Sequence, residues 1–151
     1  MATNRRKVVY VSVFVLLTVV GIFICSHFGT LNAREEKAGE PSKLLVVWTS
    51  GDKDVAIKMV YMYTYNAKKQ GWFDRVRFVV WGPSSKLLAE DKELQDYLQK
   101  MKDAGVEIQA CIACANMYGV TDKLKKLGIE VKGMGVPLTE MLKTGWITMT
   151  F

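Results

Sequence analysis

The sequence predicts an α/β fold: a three-layer sandwich with a mostly parallel sheet of about five strands, preceded by a single N-terminal transmembrane helix. Three observations lead there. Beyond residue 42, short strand-like runs alternate with segments of helical period, the order that produces parallel sheets flanked by helices. The first two runs, Lys43–Ser50 and Val76–Gly82, are apolar almost without interruption, as strands buried on both faces are. Ahead of them, Val8–Phe28 is a stretch of 21 residues without charge, the length of a helix that crosses a bilayer.

In chain order, Arg5, Arg6 and Lys7 precede that apolar run, and mixed charges (Arg34, Glu35, Glu36, Lys37) follow it. Positive charge stays on the cytoplasmic side, so the N-terminus is expected there and the domain outside the cytoplasm. Cleavage after Leu31-Asn32-Ala33 is the alternative and would leave a secreted or periplasmic protein. Residues 1–28 are thus read as a membrane anchor or uncleaved signal, 29–42 as a linker containing Gly39 and Pro41, and 43–151 as the domain. After the first strand, Asp52 and Asp54 open a helix through Lys69 whose apolar residues (Val55, Ile57, Met59, Val60, Tyr61, Met62, Tyr63) cover more than one face. Either the core stripe is wide or the excess meets another subunit. The second strand ends at Gly82-Pro83, with Ser84 or Ser85 as the expected cap of the next helix. Leu94, Tyr97, Leu98 and Met101 fall at i, i+3, i+4 and i+7 of an amphipathic helix closed by Gly105. The third strand is Val106–Cys111. A helix over Cys114–Leu127 is expected to break near Gly119-Val120, followed by a short fourth strand at Ile129–Lys132, a short helix over Leu138–Lys143 and a final alternating strand, Trp146–Phe151.

Composition removes several chemistries. The formal charge is +6, but Arg5, Arg6 and Lys7 stand in a region without acids, so the remainder is only mildly basic and its lysines are interleaved with acids. No nucleic-acid footprint is visible. The one histidine, His27, ends the N-terminal apolar run, and Cys25 lies within that run as an ordinary apolar-phase residue. The domain is left with Cys111 and Cys114, too few ligands for a four-coordinate zinc site and no histidine for a Ser-His-Asp or Cys-His pair. No metal or dissociable cofactor is therefore expected.

Reactive chemistry concentrates in Val106–Val120. Strand periodicity ends at Cys111 and helical spacing begins near Cys114, so Cys111 is placed at a strand-to-helix corner where the next helix's N–H groups and dipole favour thiolate. A lone cysteine is ordinarily a small buried hydrophobe, but C-x-x-C at a helix start is the spacing of dithiol redox sites, with one sulfur activated and the other resolving. Ligands of parallel sheets bind beyond the carboxyl ends of the strands. Three corners can line such a pocket: Thr49, Ser50 and Gly51; Gly82 and Pro83; and Cys111 to Asn116. Thr49-Ser50-Gly51 is weakly similar to a phosphate or flavin loop, although a helix-capping turn explains the same residues.

Lys43–Phe151 resembles the DsrE/DsrF-like family in its opening strand, in Val80-Trp-Gly-Pro83 and above all in Cys111-Ile-Ala-Cys-Ala-Asn-Met-Tyr-Gly-Val120, which is similar to that family's active-cysteine segment. The resemblance implies parallel strands flanked by helices, assembly as a homotrimer or homohexamer, and a cysteine, matched by Cys111, that carries a covalent persulfide in sulfur-relay members. Cys114 stands where relay proteins often have a small residue, and the N-terminal apolar run is a second departure. The expected function is therefore a membrane-tethered protein handling sulfane sulfur or thiol redox through Cys111, with Cys114 as resolving thiol and a sulfur-donor or thiol partner protein. The alternative is a non-catalytic oligomeric binding or assembly module with a structural Cys111–Cys114 disulfide.

Overall fold

The structure is a computed structural model and describes residues 41–151. The expected span Val8–Phe28, with Cys25 and His27, and nearly all of the expected linker lie outside the described residues. Among the described residues no helix is long and apolar enough to cross a membrane.

Five strands form one sheet: β1 (Lys43–Trp48), β2 (Arg75–Val80), β3 (Glu107–Cys111), β4 (Glu130–Lys132) and β5 (Ile147–Thr150). Their order is β4-β3-β2-β1-β5, and every neighbouring pair is parallel. Ser42 already belongs to the domain: its N–H and hydroxyl donate to Asp74 at 2.7 and 2.8 Å, and its carbonyl accepts from the Arg75 N–H at 3.1 Å.

The helices are distributed by the direction in which the chain steps across the sheet. From β1 to β4 each step goes the same way, through α1 (53–69), α2 (Ser84–Glu90), α3 (Lys92–Asp103), α4 (Ile112–Met117) and α5 (Thr121–Lys126). Parallel crossovers are right-handed, so steps in one direction place their helices on one face. The return from β4 to β5 runs the opposite way and carries α6 (Gly135–Lys143) to the other face. The two cores follow this division. Leu44, Val46, Trp48, Val76, Phe78, Val80, Ile108 and Ala110 point to the first face and meet Val60, Tyr61, Leu88, Leu94, Leu98, Met101 and Leu124. The alternate residues Leu45, Val47, Val79 and Cys111 point to the second face, where Met134 and Met141 cover them. The expected sandwich is thus confirmed with a wholly parallel sheet, one face carrying five helices and the other a single short one.

Several local expectations are refined. The wide apolar stripe of α1 has a geometric cause, because Ala56–Tyr61 is π-helical between α-helical Lys53–Val55 and Met62–Lys69. The extra residue per π turn rotates both Val60 and Tyr61 into the core, while Met59 and Met62 stay exposed. Tyr61 joins an aromatic cluster, edge-on to Trp48, Phe78 and Tyr97 at 5.2, 5.4 and 5.4 Å between ring centroids. Neither Ser84 nor Ser85 caps α2. Instead the Ser84 hydroxyl donates to the Trp48 carbonyl at 2.6 Å and accepts from the Trp81 N–H at 3.1 Å, bolting the ends of β1 and β2 together. Asp91 separates α2 from α3 and caps the latter through Leu94 N–H, 3.0 Å from its carboxylate. The last helix begins at Gly135 and holds Pro137 in its first turn, where a missing N–H costs nothing.

Candidate functional site

Cys111 ends β3 with extended backbone and Cys114 lies one turn into α4, so the strand-to-helix corner forms where the sequence places it. Side-chain direction differs from expectation. Odd-numbered residues of β3 face the second side of the sheet, which turns the Cys111 thiol into the cluster of Leu45, Val47, Val79, Met134 and Met141. It makes no capping hydrogen bond to α4, and the residue is 5% exposed, so the accessible, helix-capping thiol read from the sequence is replaced by a covered one. Cys114 is half-buried beside it and packs on the same cluster with Trp81, Leu138 and Trp146.

Both cysteines are free thiols and share one apolar cluster. Burial pushes the Cys114 thiol above its ordinary pKa; the Gly82 N–H, donating to its sulfur, pulls the other way, and contact with Cys111 adds to the rise. Gly82 serves this contact through a left-handed turn, φ +74°, that a side chain would strain.

The three expected corners converge only in part. Gly51 and Pro83 line a cleft of about 290 Å³ with Lys86, Leu87, Glu90 and Tyr118. Thr49 and Ser50 are engaged elsewhere: their N–H groups donate to the Phe151 carbonyl at 2.7 and 3.1 Å, and the Ser50 hydroxyl accepts from the Asp52 N–H at 3.1 Å. With Asp52 capping Val55 at 3.0 Å, this segment is the capping turn of α1, and its polar groups are spent there. Asn116 is likewise occupied, its Oδ1 accepting from the Thr121 hydroxyl at 2.6 Å. Tyr118, Lys86 and Glu90 were not singled out from the sequence. The signal for Tyr118 was present, since Cys114 and Tyr118 are four residues apart and its N–H donates to the Cys114 carbonyl at 3.1 Å, which puts both on one side of α4.

A second cleft, of about 450 Å³, opens beside α6 on the thinly covered face and is lined by Arg75, Arg77, Lys132, Met141 and Trp146 among others. Its cations are already paired. Glu107 receives hydrogen bonds from Arg75 at 2.8 and 3.1 Å and from Arg77, both guanidinium groups lie over the Trp146 ring, and Lys132 binds Glu130 at 2.8 Å. Burial raises the Glu107 carboxyl, and the hydrogen bonds from Arg77 and Arg75 outweigh it, leaving its pKa below the ordinary value. This cluster clamps α6 to the sheet, helped by Arg77 donating to the Met141 sulfur at 3.3 Å. Among the described residues no three His, Cys, Asp or Glu side chains cluster as metal ligands would.

Comparison with known proteins places this geometry. The model of the DsrE/DsrF-like family matches residues 43–151. The structure of the conserved protein of unknown function BT1422 from Bacteroides thetaiotaomicron is 38% identical, with a TM-score of 0.70, covering 73% of this chain and 95% of that one. MTH1491 from Methanobacterium thermoautotrophicum, also of unknown function, is 19% identical with a TM-score of 0.61 over 73% of this chain and 100% of its own. The ychN protein from E. coli is 14% identical with a TM-score of 0.58 over 73% and 99%. These last two share the fold. No curated protein sequence matches the chain.

Proposed function

The chain belongs to the DsrE/DsrF-like family, and from that premise we propose that it handles sulfane sulfur at the Cys111–Cys114 pair. The observation that carries this reading is the placement of two free thiols, Cys111 and Cys114, on one apolar cluster at the carboxyl end of β3. The Cys111 thiolate attacks the outer sulfur of a persulfide, R–S–SH. The S–S bond of the donor breaks, R–S⁻ leaves and takes a proton from solvent, and Cys111–S–SH forms with no net oxidation. Cys114, once deprotonated, attacks the inner sulfur of that persulfide, releasing HS⁻ and leaving a Cys111–Cys114 disulfide. A thiol reductant, two R–SH giving R–S–S–R, restores both thiols. No histidine base is needed, because thiolate attack on sulfur depends on the fraction and nucleophilicity of the thiolate.

The test is mass spectrometry after incubation with a persulfide donor. A one-sulfur increment on the Cys111 peptide, persisting in Cys114→Ser, is expected; its absence from both proteins sinks the reading. The Val8–Phe28 run supports tethering of this domain to a membrane on its extracytoplasmic side, which protease protection in sealed vesicles decides. Self-association as a trimer or hexamer fits the exposed Met59, Met62 and Trp72 and is read by light scattering.

A further inference from the structure

All five strands run the same way, so one edge of the domain gathers their amino ends together with the carboxyl ends of α1, α3, α5 and α6. The last turn of each of these helices bears lysine. Outside the Arg75–Glu107 and Lys132–Glu130 pairs, the only acids at this edge are Asp74 and Asp103. Lys43, Lys68 and Lys102 donate to the carbonyls of Thr144, Asp74 and Leu127 and tie the turns of the edge together. Lys69, Lys100, Lys125, Lys126 and Lys143 are exposed, and no ion pair among the described residues uses any of these eight. The opposite edge differs. Acids open its helices, and Lys53, Lys58 and Lys92 are paired there with Asp91 and Glu93, with Asp54 and with Asp96.

Helix dipoles favour lysine in last turns and acid in first turns, and a parallel sheet stacks these preferences into one basic and one acidic edge. Two further features set the basic edge apart. Trp72, in the turn between α1 and β2, is 55% exposed there. The chain also enters at this edge, since Ser42 donates from its N–H and hydroxyl to Asp74, two residues beyond Trp72. What precedes Ser42 in the sequence is the uncharged run Val8–Phe28 and then residues 29–42. Those fourteen residues reach at most about 50 Å when fully extended. A tether of that length supplies an effective concentration on the order of millimolar, so individually weak headgroup contacts suffice to seat the edge.

We propose that the amino edge of the sheet is a docking face for a bilayer surface containing anionic phospholipid, with Trp72 in the headgroup layer and the last-turn lysines over the lipid phosphates. The Cys111–Cys114 pair, at the carboxyl end of β3, is then presented to the aqueous side, away from the membrane. Docking rests on the tethering reading for bringing this edge to a membrane, but the lipid contact is measured separately.

The test follows amide hydrogen exchange in the full chain, held in nanodiscs of phosphatidylcholine alone or of an equal mixture with phosphatidylglycerol. In anionic discs exchange should slow over residues 68–75 and 143–147 and stay unchanged over 51–54 and 116–122 at the opposite edge. Lys69→Gln combined with Lys143→Gln should weaken docking about 25-fold, because each lysine near an anionic surface contributes about fivefold. Lys86→Gln combined with Lys92→Gln, at the other edge, should change it by less than about twofold. Incorporation into anionic discs without protection of the amino edge, or equal weakening by both pairs of substitutions, overturns docking and leaves tethering standing. Protection that is equal in neutral and anionic discs and needs two chains per disc gives the edge and Trp72 to a second copy, which also overturns it. A chain that enters neither disc removes the tether, and flotation with phosphatidylglycerol vesicles then decides docking: binding weakened by the Lys69 and Lys143 substitutions supports it, and absence of binding overturns it.

Discussion

The two faces of the sheet are built from the same five strands yet do different work. The first face is covered by α1 to α5 and holds nearly all of the large buried side chains, including Trp48, Tyr61 and Phe78. The second is covered only by α6, and alongside a small apolar cluster it carries Arg75, Arg77, Glu107, Gln109 and Cys111. The difference follows from connectivity, since three crossovers step one way and one steps back. Stability is concentrated where coverage is thick, and the thiol that carries the proposed chemistry sits where a single short helix screens it.

The sharpest way to break this comparison is to hollow each face in turn. Phe78→Ala removes a fully buried ring in contact with Trp48 and Tyr61 and should cost about 4 kcal/mol, whereas Met141→Ala on α6 should cost about 2 kcal/mol, both read from urea unfolding. Equal losses would show that the second face is as integral to the fold as the first. Met141→Ala should also speed alkylation of Cys111, because Met141 packs in the same cluster. Tyr61→Phe sharpens the picture of the first face. The Tyr61 hydroxyl is buried without a hydrogen-bond partner, and burial, with the nearby Asp91 charge, pushes its pKa well above the ordinary value. Deleting it should stabilise the protein by about 1 kcal/mol in thermal unfolding, and a loss of that size would reveal a partner.

Much of this division was legible in the sequence and some was not. The apolar runs of β1 and β2, the spacing of Leu94 to Met101 and the strand ending at Cys111 reported their elements correctly, because period and burial are local properties. Which face Cys111 serves was not local: it depends on register between β2 and β3 and on α6 returning across the sheet. The π turn in α1 left only an over-wide apolar stripe as its trace. Thr49, Ser50 and Asn116 were sensible pocket candidates by position, but their polar groups are consumed by Phe151, Asp52 and Thr121.

A smaller effect tests the clamp on the second face. The carboxyl of Glu107 titrates below its ordinary range in the folded chain, so its contribution is present above the unfolded pKa and is lost as pH falls through the folded one. With its side chain 39% exposed, solvent screening limits that contribution to about 0.5 kcal/mol. Glu107→Gln should therefore be less stable by about that amount at neutral pH and indistinguishable from the unsubstituted protein in acid. A difference that persists below the carboxylate range would mean that packing, and not the charge, holds α6 down.

The proposed division of labour between the two thiols is tested most directly by following sulfide release and the masses of the Cys111 and Cys114 peptides together after a single addition of persulfide donor. The unsubstituted protein should release about one sulfide per chain and end with a Cys111–Cys114 disulfide. Cys114→Ser should retain the added sulfur on Cys111 and release none, and Cys111→Ser should do neither. Sulfide release that survives Cys111→Ser, or an added sulfur found only on Cys114, would contradict the account.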